Sequence, residues 1–373
     1  MAINVLKDNK KPKVALVCDW LTGIGGAERV VLELHKLFPE APIYTSQYDS
    51  KGIDWFHGAE VKTGWLQGLP SGLKKFLPVL RAIYFSNLDL SDYDLVISAS
   101  GAEAKGVRTG NATTHISYIH SPTHYYWSRY DEYMKHPGFG SFDWLARIGL
   151  KLLVGPMRAW DKKAAQRPDY LIANSTHTKT MIKKYYGRGS KVIFPPVDIK
   201  RFKNDNTQKR EGLVIAGRQT PYKKVDLAVE ACTKLNIPLT VIGDGPDSNR
   251  IKALAGQNIK FINQLNDKEI VQYFTNCKGF IFPGLDDFGI VAVEALSAGT
   301  PVIAYKAGGS LDYIEENKNG LFFSEQTTDS LSKALIKFNS MIFDHIKIQE
   351  SAQMFGSKNF KDSISNFIKS LED

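Results

Sequence analysis

Gly279–Ala298 reads GFIFPGLDDFGIVAVEALSA. Gly279–Phe282 is a short apolar run, as expected of a strand covered on both faces. Pro283–Gly289 carries glycine, proline and aspartate, the composition of a loop. Val291–Ala298 then reads as a mostly apolar helix with one acid, Glu294. Strand, glycine-containing loop and helix in that order form half of a β-α-β unit, and the order recurs along the chain. Val14–Cys18 (VALVC) precedes Gly23-Ile24-Gly25-Gly26, and Val30, Val31, Leu34, Leu37 and Phe38 then follow at helical spacing until Pro39. Ile43–Thr45, Leu95–Ser98, His115–Ile119 and Tyr170–Ala173 read as further strands, with Asn174-Ser175-Thr176 capping a helix over His177–Tyr186.

A second series begins near residue 191. Val192–Phe194, Leu213–Ala216, Leu239–Ile242, Ile259–Phe261 and Pro301–Tyr305 read as strands, Val225–Lys234 as a helix, and Gly308-Gly309 as the opening of another. Pro195-Pro196 between the series marks a stiff hinge. Strands alternating with helices predict parallel sheets in doubly wound domains. Two such series predict an α/β protein of two Rossmann-like domains. The length of 373 residues agrees, at roughly 150 residues per domain.

Composition narrows the class. Apolar residues make up 43% and charged residues 23%, which excludes a disordered, collagen-like or coiled-coil chain. Cys18, Cys232 and Cys277 lie far apart without metal-type spacing, so neither a disulfide framework nor a metal site is expected, and a reducing compartment fits. No apolar run reaches the ~18 residues of a membrane span. The N-terminus, MAINVLKDNKKPK, lacks the apolar core of a signal peptide, so the expected location is cytoplasmic. The formal net charge is +9, and residues 1–191 hold all of the excess, with 26 Lys and Arg against 17 Asp and Glu. Such asymmetry predicts an anionic partner. The basic residues are dispersed over many elements with no nucleic-acid-binding module, which argues against nucleic acid.

Four segments carry chemistry. The Gly23–Gly26 turn lets backbone approach a ligand, and the following helix start offers N–H groups to phosphate. Glu28 stands where the dinucleotide fingerprint needs its last glycine, which disfavours a nicotinamide or flavin. Tyr118-Ile119-His120-Ser121-Pro122 ends a strand and places His120 at its carboxyl end. Gly217–Lys224 (GRQTPYKK) follows a strand, and Arg218 and Lys223 are cations suited to a diphosphate. Asp286 and Glu294 lie eight positions apart, one in the loop and one in the helix. Carboxylates suit vicinal hydroxyls, and the backbone at Gly289, Ile290 and Val291 suits phosphate. The row Tyr125, Tyr126, Trp127, Tyr130 and Tyr133 stacks on sugar faces or fills core. No Ser-His-Asp order, H-E-x-x-H or P-loop signature is present.

Together these segments resemble the retaining glycosyltransferases of family 4, over nearly the whole chain. Gly25–Glu28 resembles that family's N-terminal nucleotide-sugar loop. Tyr118–Pro122 resembles its Y-x-H-T-P segment, with Ser121 for Thr. Ala216–Lys223 resembles its diphosphate-binding stretch, and Asp286–Glu294 its E-x7-E motif, with Asp for the first Glu. SPTHYYWSRYDEY and AGRQTPYKKVDLAVEA look most like bacterial mannosyltransferases of O-antigen and exopolysaccharide assembly.

The resemblance implies the GT-B architecture, two Rossmann-like doubly wound domains facing across a cleft. It implies residues 1–191 plus 352–373 as the acceptor-side domain and 192–351 as the nucleotide-sugar domain. The closing segment agrees, since Phe360, Ile364, Phe367 and Ile368 recur at helical spacing. By resemblance Glu294 binds the nucleotide ribose, Arg218 and Lys223 hold the diphosphate with Gly25 and Gly26 close by, and Asp286 with Phe288–Val291 touches the transferred sugar and phosphate. His120 contacts the sugar near the reacting face. The implied reaction is metal-independent transfer of a hexose with no cofactor beyond the nucleotide-sugar donor. The implied donor is GDP-mannose, with UDP- or dTDP-hexoses as alternatives. The acceptor would be a glycan or a polyprenyl-diphosphate-linked oligosaccharide, with nucleic acid excluded as partner. A non-catalytic nucleotide- or glycan-binding protein on the same fold is the other reading. Gly72–Tyr84 (GLKKFLPVLRAIY) mixes Lys74, Lys75 and Arg81 with apolar residues, and predicts peripheral contact with the inner face of an anionic cytoplasmic membrane. Pro78 is expected to interrupt a helix there.

Overall fold

A computed structural model describes residues 12–69, 77–135, 137, 143–202, 210–263 and 265–371. The chain divides into two compact units, Met1–Pro196 with Phe360–Asp373, and Val197–Asn359.

The first unit holds a parallel sheet of β1 (Val14–Cys18), β2 (Ile43–Thr45), β3 (Val61–Thr63), β4 (Leu95–Ser100), β5 (Thr114–Ile119), β6 (Tyr170–Ala173) and β7 (Lys191–Val192). Their order is β3-β2-β1-β4-β5-β6-β7. β1, β4 and β5 are buried along their whole length; β1 is apolar throughout, β4 adds small residues, and β5 also buries Thr114, His115 and Ser117. Leu16 lies opposite Ile43 on one side and Ile97 on the other. The core beneath includes Val30, Val31 and Leu34 of the helix Gly26–Leu37. Phe360 and Ile364 of the helix Ser357–Lys369 are buried in the same core, and Phe367 and Ile368 pack against it.

The second unit repeats the plan with β8 (Leu213–Ala216), β9 (Leu239–Ile242), β10 (Ile259–Ile262), β11 (Gly279–Phe282), β12 (Val302–Tyr305) and β13 (Gly320–Phe323), in the order β10-β9-β8-β11-β12-β13. In both sheets the chain winds outward in one direction from its first strand, then returns to that strand's other side. This reversal lies between β1 and β4, and between β8 and β11. Helices diverge there and leave the carboxyl ends of the two strands open.

Local expectations meet the structure at several points. Ser175 caps the helix Thr176–Tyr186 by accepting from Thr178 N at 2.9 Å. Gly308-Gly309 opens only a short 3-10 turn, Gly308–Asp312, and not a longer helix. Pro78 does not interrupt a helix. It occupies the first position of Pro78–Asn87, where its missing N–H costs nothing. Arg81, expected to face lipid, is instead 3% exposed, and its Nε donates to Glu103 Oε2 at 2.8 Å. Lys74 and Lys75 lie outside the described residues. The three cysteines are free and buried, and burial pushes the Cys232 and Cys277 thiols up to about 12.

His115 is fully buried on β5, with Nε2 2.9 Å from Ser98 Oγ. Burial, helped by the charges of Arg167 and Arg188, lowers its pKa from 6.5 to about 3. The folded state therefore holds the imidazole neutral where the unfolded chain protonates it. Stability from this group is full above pH 6.5 and is lost as pH falls toward 3, by at most ~1.4 kcal/mol per pH unit. Urea unfolding at a series of pH values between 7.5 and 4.5 should show a shallower acid loss for His115→Gln than for the natural chain. Parallel acid limbs would show that His115 does not titrate on unfolding.

Candidate functional site

The reversal in the second sheet gathers the segments that the sequence singles out. Gly217–Lys224 leaves β8 and Pro283–Gly289 leaves β11, the strands on either side of the reversal. Ala216, Gly217, Arg218 and Lys223 share a narrow crevice with Phe282, Pro283 and Gly284. Lys223 Nζ donates to Asp286 Oδ2 across it, joining residues 63 positions apart. Both side chains are partly buried, so the pair is shielded from bulk screening. Arg218 is exposed at the crevice edge.

The loop after β11 turns into its helix at Gly289, whose φ of +92° is a left-handed conformation that side chains adopt at a cost. A Cβ there would also lie 2.5 Å from the Phe282 ring. The helix, Ile290–Ser297, carries no side-chain cap, so its first N–H groups are open to an anion. Gly309 packs so tightly on this loop that a Cβ would come within 2.3 Å of Phe288 Cα, and its N–H donates to Asp286 O at 2.9 Å. Backbone from two loops thus holds Asp286 in place. Glu294 lies in the fifth position of the helix and is 9% exposed. Arg201 Nη2 stands 3.6 Å from Glu294 Oε1, and Arg201 Nη1 donates to Asp267 at 2.9 Å. Sequence reasoning missed Arg201, which lies outside every motif and meets Glu294 only through the fold.

The first unit has its own opening at the β1/β4 reversal, a cavity of about 250 Å3. Its walls include Asp19 at the end of β1, Glu28, His120 and Ser121 after β5, and Tyr125 and Tyr133. The Asp19 carboxylate accepts from the backbone N–H groups of Gly101 (2.8 Å), Ala102 (3.0 Å) and Ala104 (2.7 Å), binding the end of β1 to the loop after β4. Gly25 caps the helix Gly26–Leu37, and Glu28 folds back so that a Cβ on Gly25 would meet its carboxylate at 2.7 Å. A carboxylate therefore already sits at the helix start where the sequence suggested phosphate. Two acids, a histidine and tyrosines make this cavity suited to a hydroxyl-rich ligand.

Behind the cavity lie two buried ion pairs absent from the sequence reading. Glu103 receives Arg81 and the hydroxyl of Tyr125. Asp161 receives Lys105 at 2.6 Å, Thr123 Oγ1 at 2.9 Å, Trp127 Nε1 at 2.7 Å and Tyr186 OH at 2.8 Å. His120 is therefore held from both sides. Its backbone oxygen accepts from Asn174 at 2.9 Å, and three residues on, Thr123 is tied to Asp161. Of the aromatic row, Tyr126 is core and Trp127 stacks on Tyr185, whereas Tyr125 and Tyr133 face the cavity. The described residues contain no group of three His, Cys, Asp or Glu side chains able to hold a metal.

Comparison with known proteins follows the same division. Residues 24–201 match the model described as Glycosyltransferase Family 4, and residues 196–359 match Glycosyl transferases group 1. The chain belongs to glycosyltransferase family 4. It is 24% identical over 370 residues to the alpha-1,3/1,6-mannosyltransferase ALG2 of Homo sapiens, covering 85% of each chain. It is 29% identical over 197 residues to a GDP-mannose-dependent alpha-mannosyltransferase of Mycobacterium tuberculosis, covering 50% of each. Other curated relatives, uncharacterised glycosyltransferases of Methanocaldococcus jannaschii, are matched over only 52% and 33% of their length, so the chain spans about half or less of these relatives. Among solved structures, Anabaena HepE in complex with UDP and glucose superposes with a TM-score of 0.66 at 19% identity, covering 96% of this chain and all of that one. This likeness establishes the GT-B architecture for the family 4 chain.

The Lys105–Asp161 pair is 1% and 0% exposed. Removing one partner from a buried pair leaves an uncompensated charge and costs about 3–5 kcal/mol. Lys105→Met should lower the unfolding free energy by that amount in urea titrations. A loss below ~1 kcal/mol, the range of an exposed pair, would show that water reaches Asp161.

Proposed function

We propose that this chain is a retaining, metal-independent hexosyltransferase that moves mannose from GDP-mannose to a hydroxyl of a glycan or polyprenyl-diphosphate-linked oligosaccharide in surface polysaccharide synthesis. The observation that carries the reading is the meeting of Lys223 and Asp286 at the β8/β11 reversal, beside an uncapped helix start and the buried Glu294. In this reading Glu294 accepts from the ribose hydroxyls, with Arg201 orienting its carboxylate. Arg218, Lys223 and the N–H groups at Ile290 and Val291 hold the diphosphate, while Asp286 and Phe288 meet the sugar. By the family resemblance, His120 in the first unit's own cavity is assigned to a sugar contact.

The chemistry asks little of the protein beyond placement and charge. The bond between the sugar's anomeric carbon and the diphosphate oxygen breaks, and an acceptor oxygen bonds to the same carbon on the same face. The acceptor proton passes to the departing diphosphate, so the site needs no separate base. Cations beside the leaving group stabilise its developing charge. Lys223 is already ordered by Asp286, which lowers the entropic cost of engaging the donor. Mannose and GDP are supported by relatives named as mannosyltransferases, several of them GDP-mannose-dependent and one an O-antigen chain mannosyltransferase of Escherichia coli. UDP-glucose is a second candidate donor, since a structural neighbour was solved with UDP-glucose. The proposed location is the cytoplasm, with peripheral attachment to the membrane that bears the acceptor. No described helix is long and apolar enough to cross a membrane.

A thermal-shift screen should single out one nucleoside-diphosphate sugar, with GDP-mannose raising the melting temperature most. Transfer should persist in chelator. Glu294→Ala should fold normally and lose at least ~100-fold in kcat/KM, equivalent to about 2.7 kcal/mol. Near-natural turnover by Glu294→Ala would overturn the site. Donor binding without transfer or hydrolysis, over a range of acceptors, would favour the non-catalytic reading.

A further inference from the structure

The helix Asp143–Ala164 turns Met157, Asp161 and Ala164 into the first unit. Its other side carries large apolar residues in the open. Trp144 is 59% exposed, Leu145 52%, Ile148 48%, Leu152 71% and Leu153 47%. Trp144, Leu145, Ile148 and Leu152 fall at i, i+1, i+4 and i+8, so they form one continuous face. Scattered exposed leucines are ordinary, but a contiguous stripe on one helix marks a contact surface.

The charges around the stripe indicate what covers it. Lys151 borders it and is exposed. Lys162 and Lys163 are also exposed, and lie about five helical turns beyond Trp144 and Leu145, so they continue the same face. The acid at the opposite end, Asp143, has Arg147 at 3.8 Å. An apolar band with a tryptophan at one end and lysines beside and beyond it has the pattern of a helix lying in the interface of an anionic bilayer. Residues 1–191, which make up most of this unit, also hold the chain's basic excess, with 26 Lys and Arg against 17 Asp and Glu.

The helix is tied to the cavity described above. Arg147 Nε donates to Met134 O at 2.9 Å and Nη2 to Lys135 O at 3.1 Å, while the neighbouring Tyr133 lines that cavity. Arg158 Nε donates to Tyr126 O at 2.5 Å, next to Tyr125 on the cavity wall.

We infer that the outer face of Asp143–Ala164 docks on an anionic lipid surface and holds the first unit's cavity beside it. The functional side of this inference rests on the proposed lipid-linked acceptor, but lipid binding is measured without turnover. The full chain should sediment with vesicles of phosphatidylcholine and phosphatidylglycerol, and much less with phosphatidylcholine alone. Leu145→Gln/Ile148→Gln/Leu152→Gln should weaken vesicle partitioning roughly tenfold or more with an unchanged melting temperature, because these side chains are already in water. Lys151→Gln/Lys162→Gln/Lys163→Gln should lose most of the preference for the anionic vesicles, by on the order of tenfold or more.

Three results would overturn the inference: no sedimentation of the natural chain with anionic vesicles, undiminished sedimentation of the Leu/Ile triple variant, or a natural dimer that the same variant converts to monomer. The last would show that a second copy covers the stripe. Thermal shift by nucleotide sugars, measured on the same proteins, should be equal in all of them. Loss of that shift in the natural chain would count against the proposed function and leave the lipid result standing.

Discussion

A parallel sheet whose winding reverses cannot cover both strands at the reversal with one helix layer. The connections leave in opposite directions, and the carboxyl ends of the two strands stay open. This chain has that constraint twice, at β1/β4 and at β8/β11. Each opening is spanned by a carboxylate. In the first unit Asp19 gathers three backbone N–H groups from the loop after β4. In the second, Asp286 meets Lys223 from the loop after β8. Asp19 also lines the first unit's cavity, and Lys223 lines the second unit's crevice.

The two units place their charges differently. In the first, Arg81 and Lys105 are withdrawn from the surface to neutralise Glu103 and Asp161 behind the cavity. Those pairs fix the loops that carry His120 and Tyr125, so they set geometry rather than attract ligands. The cations left outside include the lysines along the helix Asp143–Ala164. In the second unit, whose acidic and basic residues nearly balance, a few cations stand at the strand ends. Arg218 is exposed, Lys223 is held by Asp286, and Arg201 stands beside Glu294. Net charge is therefore a poor guide to where a diphosphate would bind. Local placement at a strand end matters more.

Most of the strands were legible in the sequence because strands buried on both faces are mostly apolar. Gly279–Phe282 and Val14–Cys18 have the limits that their composition suggests. The short edge strand β3 was not legible, since three half-exposed residues need no pattern. Val192–Phe194, read as opening the second series, instead contributes Val192 to β7 (Lys191–Val192), which closes the first sheet beside β6. The helix Asp143–Ala164 escaped for another reason. Its apolar residues occupy two faces, one packed and one open, so no single amphipathic stripe stands out, and Gly149, Gly155 and Pro156 speak against helix. Lys223 and Asp286 were each legible as chemistry-bearing residues beside a strand end, but their contact was not. Arg81 was misread because a cation among apolar residues looks the same in sequence whether it snorkels to lipid or pairs with a buried acid.

By itself the sequence determined the class of fold and the pairing of strands with glycine-bearing turns, and it marked out candidate donor-site residues. These follow from periodicity and from the local demands of backbone, which neighbouring residues report. Only the tertiary structure decided which strands flank each reversal, that Arg201 stands by Glu294, and that Arg81 and Lys105 are buried while a stripe of apolar side chains is not. Each of these depends on residues brought together across long stretches of chain. Burial and pairing are properties of that assembly, and no local pattern records them.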